Sequence, residues 1–232
     1  MQELNATKDK FFSIIAHDIK NPLGVCLSVS EFVLKEFSIL SREDIFEFME
    51  GIFKSARGLH DLLENLLTWS RSQTGKISFN PEYNSLAEVA YNIIGFLKPN
   101  AEKKEISLIV DIPDNLHAFF DINMINTVVR NLVSNAIKFT PNGGRVLVSS
   151  EELSDNVIVS VSDNGVGIDV EDIPKLFRID IHHSTRGTSE ESGTGLGLIL
   201  CQEFVETNNG KIWVESRVNE GSIFKFTLPK KD

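Results

Sequence analysis

Up to about residue 75, apolar side chains return at the helical period of about 100° per residue. Phe11, Ile15, Pro22, Val25, Val29, Phe32 and Val33 gather on one side of a first helix, and His17, Asn21, Gly24, Ser28, Glu31 and Lys35 on the other. A second helix opens at Ser41-Arg42-Glu43-Asp44, a capping-box-like start, and Ile45, Phe48, Met49, Ile52, Ala56, Leu59, Leu63 and Leu66 recur along it. Two helices joined by a short turn predict an antiparallel hairpin. A lone hairpin cannot bury a stripe this wide, so a homodimer is expected, two hairpins closing a four-helix bundle. Pro22 lacks a backbone donor and is expected to kink the first helix near the histidine.

Ser72-Gln73-Thr74-Gly75-Lys76 reads as a linker between a helical domain, 1–75, and a second domain, 76–232. Beyond it the pattern becomes mixed. Strands are expected at Lys76–Phe79, Ile106–Asp111, His117–Phe120, Gly144–Glu151, Val157–Asp163, Lys211–Ser216 and Ser222–Thr227, and helices at Leu86–Lys103, Ile122–Phe139 and Leu196–Asn208. The whole reads as α+β: a two-helix hairpin, then an α/β two-layer sandwich whose mixed sheet carries helices on one face.

Composition narrows the function classes. With 23 basic and 33 acidic residues the net charge is −10, which argues against sequence-independent nucleic-acid binding. Any polyphosphate must then be held by local cations, a metal ion or backbone amides. Cys26 and Cys201 have no partner at metal-ligand spacing and read as free thiols of a reducing, cytoplasmic compartment. No apolar run reaches the length that spans a bilayer, so a membrane is expected only through residues upstream of Met1, if at all.

His17 stands on the polar face of the first helix, with Asp18 beside it. An exposed imidazole can attack through a neutral ring nitrogen. The carboxylate can hold the proton of the other ring nitrogen and raise nucleophilicity. Asn21, one turn on, shares the face and can orient a water, and Gly24 leaves room for an incoming partner. Alone, this pattern is equally that of a solvated surface histidine.

Further on, Asn131, Asn135 and Lys138 fall at i, i+4 and i+7 on one face of the helix Ile122–Phe139. The two carboxamides can offer neutral oxygen ligands to Mg²⁺, and the lysine can sit against phosphate. Asp163-Asn164-Gly165-Val166-Gly167 ends a β-branched strand. Asp163 can accept from an exocyclic amine such as adenine's, and Gly165 and Gly167 let backbone approach closely. Gly193-Thr194-Gly195-Leu196-Gly197 precedes a helix, where free amides can cradle phosphates. It lacks the Lys-Ser/Thr ending of a Walker A loop and the preceding strand of a Rossmann turn. Arg186 lies in a polar stretch between Arg178 and Gly193 that reads as a lid over the phosphates, where it can meet the γ-phosphate. Each element alone is as ordinary as a polar helix face, a tight turn or a glycine-rich hinge.

Together they resemble known families. His17-Asp18-Ile19-Lys20-Asn21-Pro22, with the flanking Phe11-Phe12 and Leu23, resembles the acceptor box of the dimerising and histidine-phosphotransfer domain of two-component sensor histidine kinases. The asparagine and two glycine motifs, in this order, resemble those of the Bergerat-type ATP-binding fold shared by gyrase, a heat-shock chaperone, MutL and the histidine kinases. Lys175-Leu176-Phe177-Arg178 resembles the kinase phenylalanine box, although Ile179 and Ile181 stand where a second aromatic is usual.

The resemblance implies a kinase that uses ATP and Mg²⁺ to phosphorylate its own His17, with Asp18 as base. The phosphoryl group then passes to an aspartate of a response regulator receiver domain, and Asn21 supports dephosphorylation of that partner. Two alternatives share parts of the pattern: a gyrase-like ATP hydrolase and a non-catalytic pseudokinase scaffold. The hydrolases carry a glutamate base where this chain has Asn131, and an amide cannot take a proton.

Overall fold

The structure is a computed structural model that describes residues 2–73, 77–178, 187–189, 191 and 195–230, with side chains from Ile15 onward in the first helix. The chain divides into two compact units, one built on residues up to 76 and the other on 77–178 and 197–232.

The first unit is a helical hairpin of α1 (Gln2–Glu36) and α2 (Arg42–Gln73). The capping signal acts as expected, with Asp in the role of the usual Glu. The Asp44 amide donates to Ser41 Oγ at 3.0 Å, and the Ser41 amide returns to Asp44 Oδ2 at 3.1 Å. The Ser41 hydroxyl, donating to Asp44 Oδ2 at 2.6 Å, and then the Ser41 amide hold the Asp44 carboxyl below its ordinary range. α1 runs through Pro22 without interruption, and the Pro22 carbonyl accepts from Ser55 Oγ of α2 at 3.0 Å. Ile15, Val33 and Leu62 are buried, and Phe32 of α1 meets Phe48 of α2 edge-on. The hairpin leaves Val25, Phe32, Met49 and Leu63 of the apolar stripe exposed, and Leu27, Phe46, Phe53 and Leu67 beside it are exposed too.

In the second unit, β1 (Glu82–Ser85) pairs antiparallel with β3 (His117–Phe120). The remaining strands are β2 (Ser107–Asp111), β4 (Arg145–Glu152), β5 (Asn156–Asp163), β6 (Ile212–Arg217) and β7 (Gly221–Pro229). They form a five-stranded sheet in the order β2-β4-β5-β7-β6, parallel at β2–β4 and antiparallel elsewhere. The helices α3 (Leu86–Glu102), α4 (Ile122–Phe139) and α5 (Gly197–Thr207) cover one face of it. Burial alternates strictly along β5, with Val157, Val159 and Val161 inward. Leu132 of α4 and Phe226 of β7 lie wholly in this core, where each contributes roughly 1.5–3 kcal/mol.

One expected strand is displaced. Residues 77–79 form no strand, and β1 lies further on, at Glu82–Ser85. The Asn80 amide, instead of joining a ladder, donates to Asp121 Oδ2 at 2.9 Å. Asp121 is itself the N-cap of α4, its Oδ1 accepting from the Asn123 and Met124 amides, and its own amide is bound by Asn208 Oδ1 at 2.8 Å. This buried knot fixes the start of the helix that carries Asn131, Asn135 and Lys138. Among the described residues no helix is long and apolar enough to cross a membrane.

Candidate functional site

His17 projects from α1 with 67% of its side chain exposed, while Asp18 is largely shielded at 15%. Their contact is direct: the ring nitrogen Nδ1 lies 3.2 Å from Asp18 Oδ1. A carboxylate acceptor there selects the tautomer with the proton on Nδ1 and leaves Nε2 with its lone pair. The Asn21 amide donates to Nε2 at 3.3 Å. His17, Lys20, Asn21, Gly24 and Ser28 line one open groove along α1. A Cβ at Gly24 would meet nothing, so the hairpin itself does not demand glycine there.

In the second unit the periodicity of α4 does what its spacing predicts. Asn131, Asn135 and Lys138 are all half-buried along one side, and Val128, Leu132, Val133 and Ala136 are buried against the sheet. The Asn131 amide donates to the Gly197 carbonyl at the start of α5, at 3.4 Å, linking the asparagine motif to the second glycine motif. Burial pushes the Lys138 ammonium down, opposed by the charge of Glu191.

Asp163 closes β5 and is nine-tenths buried. Its Oδ1 accepts from the Gly165 amide at 2.8 Å and the Ser222 amide at 3.2 Å. Burial pushes the carboxyl up, and the two amide bonds only partly offset this. With Oδ1 doubly engaged, Oδ2 is the oxygen left for a ligand's amine. The two glycines are required by the protein's own backbone: a Cβ on Gly165 would strike the Phe139 carbonyl, and one on Gly167, at φ +71°, would strike the Arg217 carbonyl. The loop is stitched from both sides, by Val166 N–H to Phe139 O at 3.2 Å and Asn219 N–H to Val166 O at 2.7 Å. Ser216 Oγ accepts from the Ile168 amide at 2.8 Å.

Gly195 has φ +67° and Leu196 is buried, while Gly197 opens α5. Arg186, Gly193 and Thr194 lie outside the described residues. Sequence reasoning missed Ser216 and Ser222, since only the register Asp163↔Ser222 brings the last strand to the glycine loop.

The asparagine face fits Mg²⁺ by donor chemistry, since two neutral carboxamide oxygens complement ligands that bring their own negative charge. The Asp163 carboxylate, a buried acceptor with Oδ2 unengaged by the two amides, fits a purine amine by donor chemistry.

A family model described as the His Kinase A (phospho-acceptor) domain matches residues 7–75, and one described as a histidine kinase-, DNA gyrase B- and HSP90-like ATPase matches residues 120–232. The adaptive-response sensory kinase SasA of Thermosynechococcus vestitus is 32% identical over 96% of this chain and 60% of its own length. The chain thus spans less than two thirds of that curated relative. Among solved structures, the catalytic domain of the histidine kinase ThkA is 31% identical over 66% of this chain and 97% of its own, with a TM-score of 0.57. ThkA in complex with its response regulator TrrA shares the fold over 99% of this chain, at a TM-score of 0.77 and 22% identity. An acceptor hairpin carrying a paired histidine, followed by this nucleotide-type sandwich, is the family's arrangement: the chain belongs to the two-component sensor histidine kinases and corresponds to their catalytic core.

Proposed function

We propose that this chain phosphorylates His17 from ATP and passes the phosphoryl group to an aspartate of a response regulator. The observation that carries this reading is the pairing of exposed His17 with shielded Asp18, in a chain whose second unit carries carboxamides at Asn131 and Asn135 where a hydrolase needs a base for water. In the reaction His17 Nε2 attacks the γ-phosphorus of ATP in line, an N–P bond forms, and the bond to the β-phosphate oxygen breaks, releasing ADP. Asp18 holds the Nδ1 proton and stabilises the charge that develops on the ring. Mg²⁺ held through Asn131 and Asn135 would neutralise phosphate charge. Asp163 holds the adenine amine, Lys138 and Arg186 meet the phosphates, and the backbone amides of the stretch Gly193–Gly197 cradle them. Positioning and electrostatics supply most of the catalysis in such transfers.

In this reading residues 1–75 are the dimerising acceptor domain and 76–232 the ATP-binding domain. The exposed stripe through Phe46, Met49, Phe53 and Leu67 is covered by a second hairpin, giving a homodimeric four-helix bundle. The ThkA–TrrA complex supports a receiver domain as the partner. The compartment is the cytoplasm, either free or as the cytoplasmic part of a membrane-bound sensor. A gyrase-like hydrolase is disfavoured because Asn131 and Asn135 cannot accept a proton.

The direct test is incubation with Mg²⁺ and ATP labelled at the γ-phosphate. Acid-labile, base-stable label on the protein is expected, and it should move to a cognate receiver domain. Steady release of inorganic phosphate with no labelled protein would overturn the proposal.

Two side chains of the groove are separable by mutation. Asp18→Asn keeps the shape but removes the proton acceptor. Autophosphorylation should slow by about 10²–10⁴-fold with nucleotide affinity little changed; a rate within a few-fold of wild type would leave Asp18 only a helix-shaping role. Asn21→Ala should leave autophosphorylation largely intact, because Asp18 already sets the tautomer. The same change should slow dephosphorylation of the phospho-regulator, since the Asn21 amide can hold a water in line with the acyl phosphate. Mixing purified phospho-regulator with each protein and ADP measures this, and equal decay rates would remove Asn21 from the reverse reaction.

A further inference from the structure

Lys104 is a buried cation that the nucleotide chemistry described above does not use. It lies just after α3, only 6% exposed, and its ammonium is surrounded by four oxygens. It donates to the Ile137 carbonyl at 2.9 Å and the Lys138 carbonyl at 3.0 Å, the last turn of α4. It also reaches Thr188 Oγ1 at 2.7 Å and Glu191 Oε1 at 3.0 Å. Helix carbonyls at a carboxy terminus have no partner within the helix, and a cation there answers both their hydrogen bonds and the helix dipole. A buried charge is tolerated only when it is so completely paired.

The partners converge on one segment. The Thr188 amide donates to the Lys138 carbonyl at 3.0 Å, and the Thr188 hydroxyl reaches the Thr140 carbonyl at 2.9 Å. The Gly187 amide closes onto the Glu191 carbonyl at 2.9 Å, and the Ser189 amide onto Glu191 Oε2 at 2.8 Å. Any side chain at Gly187 would collide with Lys138 and Glu191. Burial pushes the Glu191 carboxyl up, yet backbone amides and the Lys104 ammonium outweigh this and hold it below the usual range. Gly187 and Glu191 lie against Lys138, whose ammonium feels the Glu191 charge.

We propose that Lys104 is a positioning residue of the nucleotide site: its ammonium clamps Gly187, Thr188, Ser189 and Glu191 to the end of α4 and so holds the turn that carries Lys138 in place. The inference rests on the ATP reading for its consequence and on geometry alone for the clamp.

The test combines two readouts on Lys104→Met, which keeps the apolar stem, and on Glu191→Gln and Thr188→Val, which alter the outer partners without emptying a buried site. Amide hydrogen exchange at residue 188, as protection relative to its intrinsic rate, should accelerate about tenfold or more in Lys104→Met and measurably in the other two, while core amides such as Val159 keep their wild-type rates. The dissociation constant of a fluorescent ADP analogue should rise about tenfold in Lys104→Met, in the order of the exchange effects across the three. Unchanged exchange at Thr188 would overturn the clamp. Faster exchange with unaltered nucleotide affinity would overturn the positioning role. If Lys104→Met does not fold, the other two variants decide by the same criteria. A wild-type protein that binds no nucleotide would refute the ATP reading, and Thr188 exchange would still decide the clamp.

Discussion

His17→Gln is expected to abolish phosphorylation of this protein altogether. The substitution costs little in folding, because two thirds of the His17 side chain is in solvent and its polar contacts are to its neighbours Asp18 and Asn21. Glutamine retains a hydrogen-bonding side chain of similar reach, so nucleotide binding in the second unit should be unchanged. An amide nitrogen has its lone pair delocalised into the carbonyl and is no nucleophile. Acid-labile label from γ-labelled ATP should therefore fall to background while fluorescent ADP binding stays at wild type. His60, which also has an aspartate neighbour at 3.6 Å, serves as the internal control: His60→Gln should label normally. Undiminished label in His17→Gln would show that the acceptor is elsewhere.

The second large effect is expected at Asp163→Asn. Oδ1 must accept from both Gly165 and Ser222 amides to keep the loop in place. An asparagine meets that demand only by turning its oxygen to Oδ1's position, which puts an NH₂ group where Oδ2 stood. A purine amine then faces a donor instead of an acceptor. Losing a bond to a charged group and leaving a shielded donor unmatched costs about 3 kcal/mol, or roughly a hundredfold in ATP affinity. Isothermal titration with ADP measures it, and discrimination against guanine nucleotides should weaken in parallel. Protonation does chemically what the mutation does genetically. Because burial pushes this carboxyl up, wild-type nucleotide affinity should decline on acidification at higher pH than an ordinary aspartate would dictate, and Asp163→Asn should lose that dependence. Affinity within a few-fold of wild type would remove Asp163 from the binding site.

The two expectations differ in how far the sequence alone could reach. His17, Asp18 and Asn21 are neighbours along one helix, so their mutual contacts follow from the helical period. The same holds for Asn131, Asn135 and Lys138 on α4. Their local spacing already places them on a half-buried polar side opposite Val128 and Leu132. The reciprocal cap between Ser41 and Asp44 is likewise short-range and was legible residue by residue. Of the apolar stripe on α1 and α2, Val25, Phe32, Met49 and Leu63 stand exposed in the hairpin.

Sequence patterning determined the helical hairpin, the order of strands and helices behind it, and the residue types gathered at each motif, because helix and strand periods and caps act over a few residues. Tertiary structure decided the pairings that bridge long separations. Residues 77–79 have the composition of a strand, but Asn80 surrenders its amide to Asp121, 41 residues away, and the ladder forms later, at Glu82–Ser85. The missing side chains of Gly165 and Gly167 make room for the backbone of Phe139 and Arg217, a demand that comes from residues distant in the sequence. Ser222 reaches Asp163 only through the β5–β7 register, and Lys104 meets Glu191 across 87 residues. No local pattern encodes such contacts. They arise when the packed sheet and helices bring buried polar groups together and each must find a partner.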